Sequence, residues 1–306
     1  VSAPVIHCLS SSARDAARLA ARLGVAAHTI DVHRFPDGEL RVTVGPAAPT
    51  VLVYASLDQP NDKLLTLLFA AEALRRAGAT RLVLLAPYLC YMRQDTAFHQ
   101  GEAISQKVIG RLIAEAFDRV ITVDAHLHRT RNIEDVFTGI EAENLSAMPA
   151  IAAFLLANEF DAGTIVAGPD AESESWVRDL ARRLKADHAV AQKIRHGDRS
   201  VEMTFADPKI FAGRPVLLVD DIVSSGGTVL ACTKALLAAG ATSVDAIITH
   251  ALFPPEMVGA FKAAGLASVR STHSVPHPTN AIELDALFAD ALRREFTETA
   301  ERGTAS

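Results

Sequence analysis

The sequence predicts an α/β protein in which a mostly parallel sheet, flanked by helices, occurs twice. The first observation is a series of short apolar runs at residues 51–55, 82–86, 120–123, 164–167, 216–219 and 246–249. Runs this short and continuous read as strands covered on both faces, as in parallel sheets. The second observation is what lies between them. Leu64, Leu68, Ala71 and Leu74 form one helical stripe, with Asn61 after Pro60 as its expected N-cap; Leu230, Ala231, Lys234, Leu237 and Ala238 belong to another. Strand and helix in alternation argue for parallel sheets covered by helices. The third is an internal echo. Ala77-Gly78-Ala79-Thr80 precedes the 82–86 run, and Ala239-Gly240-Ala241-Thr242 precedes the 246–249 run. Each unit follows a strand, a loop and a helix of similar length, and its glycine is placed to end the helix. The expected domains are residues 1–148 and 149–306, with the last helix packing back on the first domain.

At 306 residues, 49% of them hydrophobic, the chain can bury the cores of two domains. Its 30 basic and 36 acidic residues leave a formal charge of −6 without a long basic run. That balance argues against nucleic acid, and basic residues spaced among separate motifs suit a small anionic substrate. No apolar run is long enough to span a bilayer, and residues 5–9 read as a first strand rather than a signal peptide. Cys8, Cys90 and Cys232 lie far apart with no Cys-x-x-Cys pattern, as expected of buried reduced thiols. The expectation is a soluble, cytoplasmic protein with neither nucleic-acid nor membrane partners.

Several segments carry chemistry. Residues 29–35 and 39–44 flank Pro36-Asp37-Gly38, where proline presets φ and glycine permits a positive φ, so this is a hairpin. Phe35 can stack on a purine or staple the hairpin to the core, while Asp37 and Glu39 can accept from an exocyclic amine. Arg93 suits bidentate contact with phosphate or an ion pair with Asp95. Gln94 and Asp95 can position a nucleotide or a metal-bound water. His126 follows a strand end, where ligands gather in α/β sheets. His128 should point elsewhere if that strand continues. Lys193 and Arg195 alternate onto one face of an extended segment, which by itself fits a solvated, charged hairpin edge.

The most informative segment runs from Val216 to Thr228. A strand ends, Asp220-Asp221 follow, and Ile222-Val223-Ser224-Ser225-Gly226-Gly227-Thr228 opens a helix. Backbone N–H groups of such a loop can surround a phosphate at the helix N-terminus, with Gly226 and Gly227 allowing close approach. Ser224, Ser225 and Thr228 add hydroxyl donors, and the two aspartates suit vicinal ribose hydroxyls. The plain alternative is an ordinary strand-to-helix turn with Thr228 near the cap.

This last arrangement resembles the phosphoribosyl-binding loop of the phosphoribosyltransferase superfamily. Further segments resemble one of its families, the ribose-phosphate pyrophosphokinases: Arg34-Phe35-Pro36-Asp37-Gly38-Glu39, Pro87-Tyr88-Leu89-Cys90-Tyr91-Met92-Arg93-Gln94-Asp95, Val123-Asp124-Ala125-His126, Gly168-Pro169-Asp170 and Pro276-His277-Pro278-Thr279-Asn280. They occur in family order over most of the chain. The resemblance implies two phosphoribosyltransferase-like domains and synthesis of phosphoribosyl pyrophosphate from ATP and ribose 5-phosphate. It implies Phe35, Asp37, Glu39, Arg93, Gln94 and Asp95 at ATP, and Asp220, Asp221, Ser224, Ser225, Gly226, Gly227 and Thr228 at ribose 5-phosphate. It further implies His126 and Asp170 on Mg2+, Lys193 and Arg195 as catalytic residues, Arg199 as a weaker candidate on their loop, and a homo-oligomer, dimer or hexamer. Departures are Ser224 where many members carry aspartate, Thr96 in place of a basic residue, and Glu172-Ser173-Glu174-Ser175-Trp176 in place of a glycine-rich run. A phosphoribosyltransferase would share Asp220 to Thr228 without explaining the Phe35 and Arg93 segments. A non-catalytic regulatory relative would be expected to have lost residues that are present here.

Overall fold

The computed structural model describes residues 3–158, 160–195 and 201–296, with the side chains at 193–195 and 201–202 outside that description. The chain divides into two compact units. One comprises the residues up to Leu145 and those from Leu284 onward; the other is Ser146–Glu283.

In the first unit, β1 (Val5–Cys8), α1 (Ala13–Leu23) and β2 (Ala27–Thr29) lead into an antiparallel hairpin of β3 (Asp31–Arg34) and β4 (Leu40–Thr43). Then come β5 (Thr50–Tyr54), α2 (Pro60–Arg76), β6 (Arg81–Ala86), α3 (Ser105–Ala116), β7 (Arg119–Val123) and β8 (Glu141–Leu145). The sheet order is β2-β1-β5-β6-β7-β8, every pair parallel. In the second unit, α4 (Met148–Ala157), β9 (Ile165–Gly168), α5 (Glu174–Leu184), β10 (His188–Arg195), β11 (Val201–Phe205) and β12 (Pro215–Val223) come first. They precede α6 (Gly227–Ala238), β13 (Ser243–Ala251), α7 (Met257–Ala263), β14 (Leu266–Thr272) and β15 (Asn280–Ile282). Here the order is β11-β10-β9-β12-β13-β14-β15, with only β11 antiparallel among the described strands. The central strands of both sheets are buried on both faces, as the unbroken apolar runs require.

The two windings correspond strand for strand: β2-β1-β5-β6-β7-β8 repeats as β10-β9-β12-β13-β14-β15. The sequence echo falls at equivalent places and adopts one geometry. Gly78 and Gly240 have φ of 102° and 93°. The N–H of Ala79 donates to Leu74 at 3.0 Å and that of Ala241 to Leu236 at 3.1 Å, closing the same left-handed helix cap. Thr80 and Thr242 then each donate to a carbonyl of the segment leading into β5 and β12, Pro49 and Arg214, both at 2.9 Å.

Helix α2 begins two residues earlier than expected. Gln59, at φ 47°, occupies the N-cap and Pro60 the first turn, where a missing N–H costs nothing. Asn61 is therefore inside the helix, and its side-chain oxygen accepts from the Tyr91 hydroxyl.

The last helix, α8 (Asp285–Ala291), packs in the first unit. Arg22 on α1 pairs with Asp285, and Tyr54 meets Phe288 edge-on at 5.7 Å. Beyond α8, Glu295 accepts from Arg81 Nε at 2.7 Å and from Arg119 Nη1 at 2.9 Å. Arg81 and Arg119 open β6 and β7, so both lie at the N-terminal edge of the sheet. Arg119 and Glu295 are 1% and 2% exposed. Burial pushes the Glu295 carboxyl up, but the hydrogen bonds and charges of Arg81 and Arg119 outweigh it and hold the group below the ordinary carboxylate range. Its contribution to stability is therefore present above the unfolded-state value near pH ~4.3 and is lost as pH falls through the lower folded-state value. Glu295→Gln should destabilise the first unit by roughly 1–3 kcal/mol at pH 7, because Arg119 loses its buried partner and keeps only the half-exposed Glu143, at 2.5 Å. Urea unfolding at pH 7 and below pH ~4 checks this: the variant should lose most of the difference between the two conditions.

Candidate active site

In the first unit the chemistry-bearing segments leave the C-terminal ends of β6 and β7 or stand on the hairpin. The hairpin turn closes as expected, with Gly38 at φ 94° and its N–H donating to Phe35 at 2.9 Å. Asp37 accepts the Glu39 N–H at 3.1 Å, so one of its oxygens shapes the turn. Phe35 does not staple the hairpin to the core: it is 38% exposed, and His33 meets its ring edge-on at 4.8 Å. Arg34 pairs with Asp62 on α2.

The segment after β6 folds back on itself. Glu102 accepts the N–H groups of Phe98 at 2.8 Å and His99 at 3.2 Å, with the Gln94 amide at 3.5 Å. Arg93 is exposed. It does not pair with Asp95, whose two oxygens accept from Arg129 instead: the backbone N–H at 2.8 Å and Nη1 at 3.0 Å. Burial of Asp95 raises its carboxyl, but the hydrogen bonds and charge of Arg129 prevail and hold it low. Cys90 in the same segment is buried, and desolvation pushes its thiol up to about 12, which makes it an inert packing group.

Strand β7 ends at Val123, and Asp124 turns the chain at φ 37°. The N–H of Asp124 donates to Leu145 and that of Ala125 to the Asn144 side chain, each at 2.8 Å, so β8 pins this turn. His126 is half-buried just beyond. Strand alternation does not continue there, and the expectation that His128 points elsewhere is corrected: the two rings stack at 6.3 Å and 26°. Thr130 on the same loop donates to Gln106 at 2.8 Å, and Gln106 donates to the Met92 carbonyl at 3.3 Å. The Arg93 and His126 segments are thus joined by residues that no local pattern marks, Arg129, Thr130 and Gln106.

In the second unit, β12 continues through the two aspartates instead of ending before them, with Asp220 opposite Ile248, Ile222 opposite His250 and Val223 opposite Ala251. Asp221 is 9% exposed and one of its oxygens accepts the Ile222 N–H at 2.7 Å. Ser224 and Ser225 are exposed, and Gly226, at φ 82°, is the N-cap of α6. A Cβ at Gly226 would stand 2.8 Å from the Phe261 ring, whereas one at Gly227 would meet only Ser225 Oγ at 3.9 Å. Position 226 therefore requires glycine for conformation and packing, and position 227 does not. Phe261 packs edge-on against Phe253, which meets His277 at 4.5 Å, so the Pro276 to Asn280 segment braces the loop from behind.

Asp170 follows β9. Its carboxylate lies 3.3 Å from the Ser173 N–H, and Ser173 is wholly buried, its hydroxyl donating to the Asp170 carbonyl at 2.5 Å. Lys193 and Arg195 sit on β10 opposite Met203 and Val201. Their side chains, and Arg199 altogether, lie outside the described residues. Among the described residues no cluster of three or more histidine, cysteine and acidic side chains is assembled for a metal, and no helix is long and apolar enough to cross a membrane.

Residues 5–116 match the family described as the N-terminal domain of ribose phosphate pyrophosphokinase, and residues 141–286 the phosphoribosyl transferase domain. The ribose-phosphate pyrophosphokinase of Methanopyrus kandleri is 30% identical over 290 residues, covering 94% of this chain and 98% of that protein. The one from Brucella melitensis is 36% identical over 257 residues, covering 82% and 80%. The crystal structure of phosphoribosylpyrophosphate synthetase from Mycobacterium smegmatis shares the fold, with a TM-score of 0.83 at 23% identity over 97% of this chain and 100% of that one. A chain with this duplicated α/β winding and these relatives along nearly its whole length belongs to the ribose-phosphate pyrophosphokinase family of enzymes.

Proposed function

We propose that the chain transfers the β,γ-diphosphoryl group of MgATP to the C1 hydroxyl of ribose 5-phosphate, giving phosphoribosyl pyrophosphate and AMP. The observation that carries this reading is the continuous run from β12 through Asp220 and Asp221 into the Ser224 to Thr228 loop, in a chain that also carries the Arg93 and His126 segments. The C1 oxygen attacks the β-phosphorus and its proton passes to solvent. The bond from the β-phosphorus to the α,β-bridging oxygen breaks, and that oxygen leaves on AMP. Positioning and charge stabilisation then carry the catalysis.

Ser224 to Thr228 hold the 5-phosphate through hydroxyls and the unpaired N–H groups of the first turn of α6. Asp220 and Asp221 take the ribose hydroxyls. Arg93 meets the triphosphate, Phe35 stacks on adenine, and Asp37, Glu39 and Gln94 orient the nucleotide. Asp95 acts from behind through Arg129. Lys193 and Arg195 neutralise charge developing on the transferring group. Mg2+ on the triphosphate would supply further neutralisation, with Asp170 offering a carboxylate oxygen and His126 a ring nitrogen. One carboxylate beside phosphate oxygens is an ordinary donor set for this cation; the imidazole is the unusual member. A homo-oligomer and a cytoplasmic location accompany this reading.

AMP formation from MgATP, with and without ribose 5-phosphate, tests it, the product being identified by phosphorus NMR. Sugar-dependent AMP with a pyrophosphate ester at C1 is the expected result; ADP would overturn it. Lys193→Ala should lower kcat by roughly 10²–10³-fold with little change in either KM, since the charge matters most in the transition state. A second pair of variants probes the phosphate loop. Gly226→Ala should lose roughly 1–3 kcal/mol of stability through strain and its clash with Phe261. Gly227→Ala should keep its stability within about 0.5 kcal/mol yet raise the KM for ribose 5-phosphate, because a methyl group there obstructs backbone approach alone. An unchanged KM in Gly227→Ala would remove this loop from the sugar-phosphate site.

A further inference from the structure

Arg129 is not among the residues that the family resemblance implies, yet it touches the nucleotide segment at Asp95 and at Phe98. Its backbone N–H and guanidinium take both oxygens of Asp95, at 2.8 and 3.0 Å. Its guanidinium carbon also lies over the Phe98 ring, 5.3 Å from the centroid. Arg129 is 51% exposed, but the Asp95 side chain is only 1% exposed, so this is not an ordinary surface pair. Losing the guanidinium would leave the carboxylate held by the Arg129 backbone N–H alone. The segment that contains both grips, residues 94–102, is closed on itself by Glu102, which gathers the N–H groups of Phe98 and His99 and the Gln94 amide. A segment closed in this way moves as a unit, and Arg129 holds that unit at Asp95 near its start and at Phe98 in its middle. His126 lies three residues before Arg129 on the same loop, which Thr130 anchors through Gln106 to the Met92 carbonyl next to Arg93.

We propose that Arg129 is a positioning residue that locks segment 93–102 to the loop bearing His126, so that the two loops meet the nucleotide as one preorganised surface. The proposal rests on the assignment of Arg93 and His126 to MgATP. It separates two jobs that a sequence motif merges: Arg93 faces the ligand, whereas Asp95 receives Arg129 and sets where Arg93 stands. Loops that are ordered before binding do not consume binding energy in becoming ordered, so the lock should act on nucleotide affinity first.

Steady-state kinetics of the full chain, with MgATP and ribose 5-phosphate varied independently, are combined with amide hydrogen exchange of the free chain. Arg129→Gln should raise the KM for MgATP by about ten- to a hundredfold and leave the KM for ribose 5-phosphate within about twofold. Exchange should speed up together in residues 93–102 and 124–132, while β5, β6 and β7 keep their protection. Arg129→Lys retains charge without the planar fork and should recover part of the loss. Asp95→Asn should reproduce the effect, and the double variant should be no worse than the worse single one. Additive losses, equal rises in both KM values, or unchanged exchange in either loop would overturn the proposal. Absence of sugar-dependent AMP in the unsubstituted chain would sink the proposed reaction instead. The lock would then be decided by exchange and by calorimetric MgATP binding, where a tenfold weaker Kd in Arg129→Gln supports it and an unchanged Kd overturns it.

Discussion

Parallel pairing is the constraint on which the rest of the molecule depends. A sheet whose strands run one way, joined by helices on its faces, must deliver the C-terminal ends of those strands to a single edge. In the first unit the loops after β5, β6 and β7 leave that edge, and in the second so do the loops after β9, β12, β13 and β14. Residues distant in sequence, such as Asp95 and Arg129, meet because β6 and β7 are parallel neighbours whose following loops emerge side by side. The antiparallel exceptions among the described strands are the β3–β4 hairpin, whose turn carries Phe35, Asp37 and Glu39, and β11, which pairs with the strand bearing Lys193 and Arg195.

The opposite edge bears the mechanical load. Arg81 and Arg119 begin β6 and β7, at the end of each strand opposite the loops that carry the candidate site residues. Glu295 returns to that edge from the far end of the chain and joins both. Desolvation offsets part of the attraction between charges so deeply buried, and the hydrogen bonds and charges of the two arginines outweigh it. The arrangement ties the segment after α8 to the N-terminal edge of the sheet, where its buried acid is satisfied.

Much of the fold was legible because the relevant signals are local. Unbroken apolar runs report strands buried on both faces, and an Ala-Gly-Ala-Thr unit reports a helix that ends in a left-handed cap and turns into the next strand. Both readings depend only on neighbours in sequence. Readings failed where tertiary context decided. The extent of β12 past Asp220 and Asp221 is set by pairing with β13, and nothing in the aspartates themselves marks it. The stacking of His126 on His128 depends on Asp124 leaving strand geometry, with its N–H held by β8. Proline favoured the first turn of α2 and displaced the expected cap by two residues.

The same distinction separates the two candidate halves of the chemistry. The Ser224 to Thr228 loop is built from backbone: a glycine forced to positive φ, a second glycine left open, and a helix whose first N–H groups point outward. Such a site is written in consecutive residues and can be read from them. The Arg93 and His126 segments are built from side chains reaching across gaps of 24 to 34 residues, as with Thr130 to Gln106 and Arg129 to Asp95. A motif names the residues that face the ligand, but the groups holding them in place are chosen by the topology. Substitution there can proceed wherever a new pair satisfies the same buried carboxylate. Variation between relatives should accordingly concentrate in these supporting pairs, because the requirement is for a filled carboxylate and a fixed loop rather than for one particular donor.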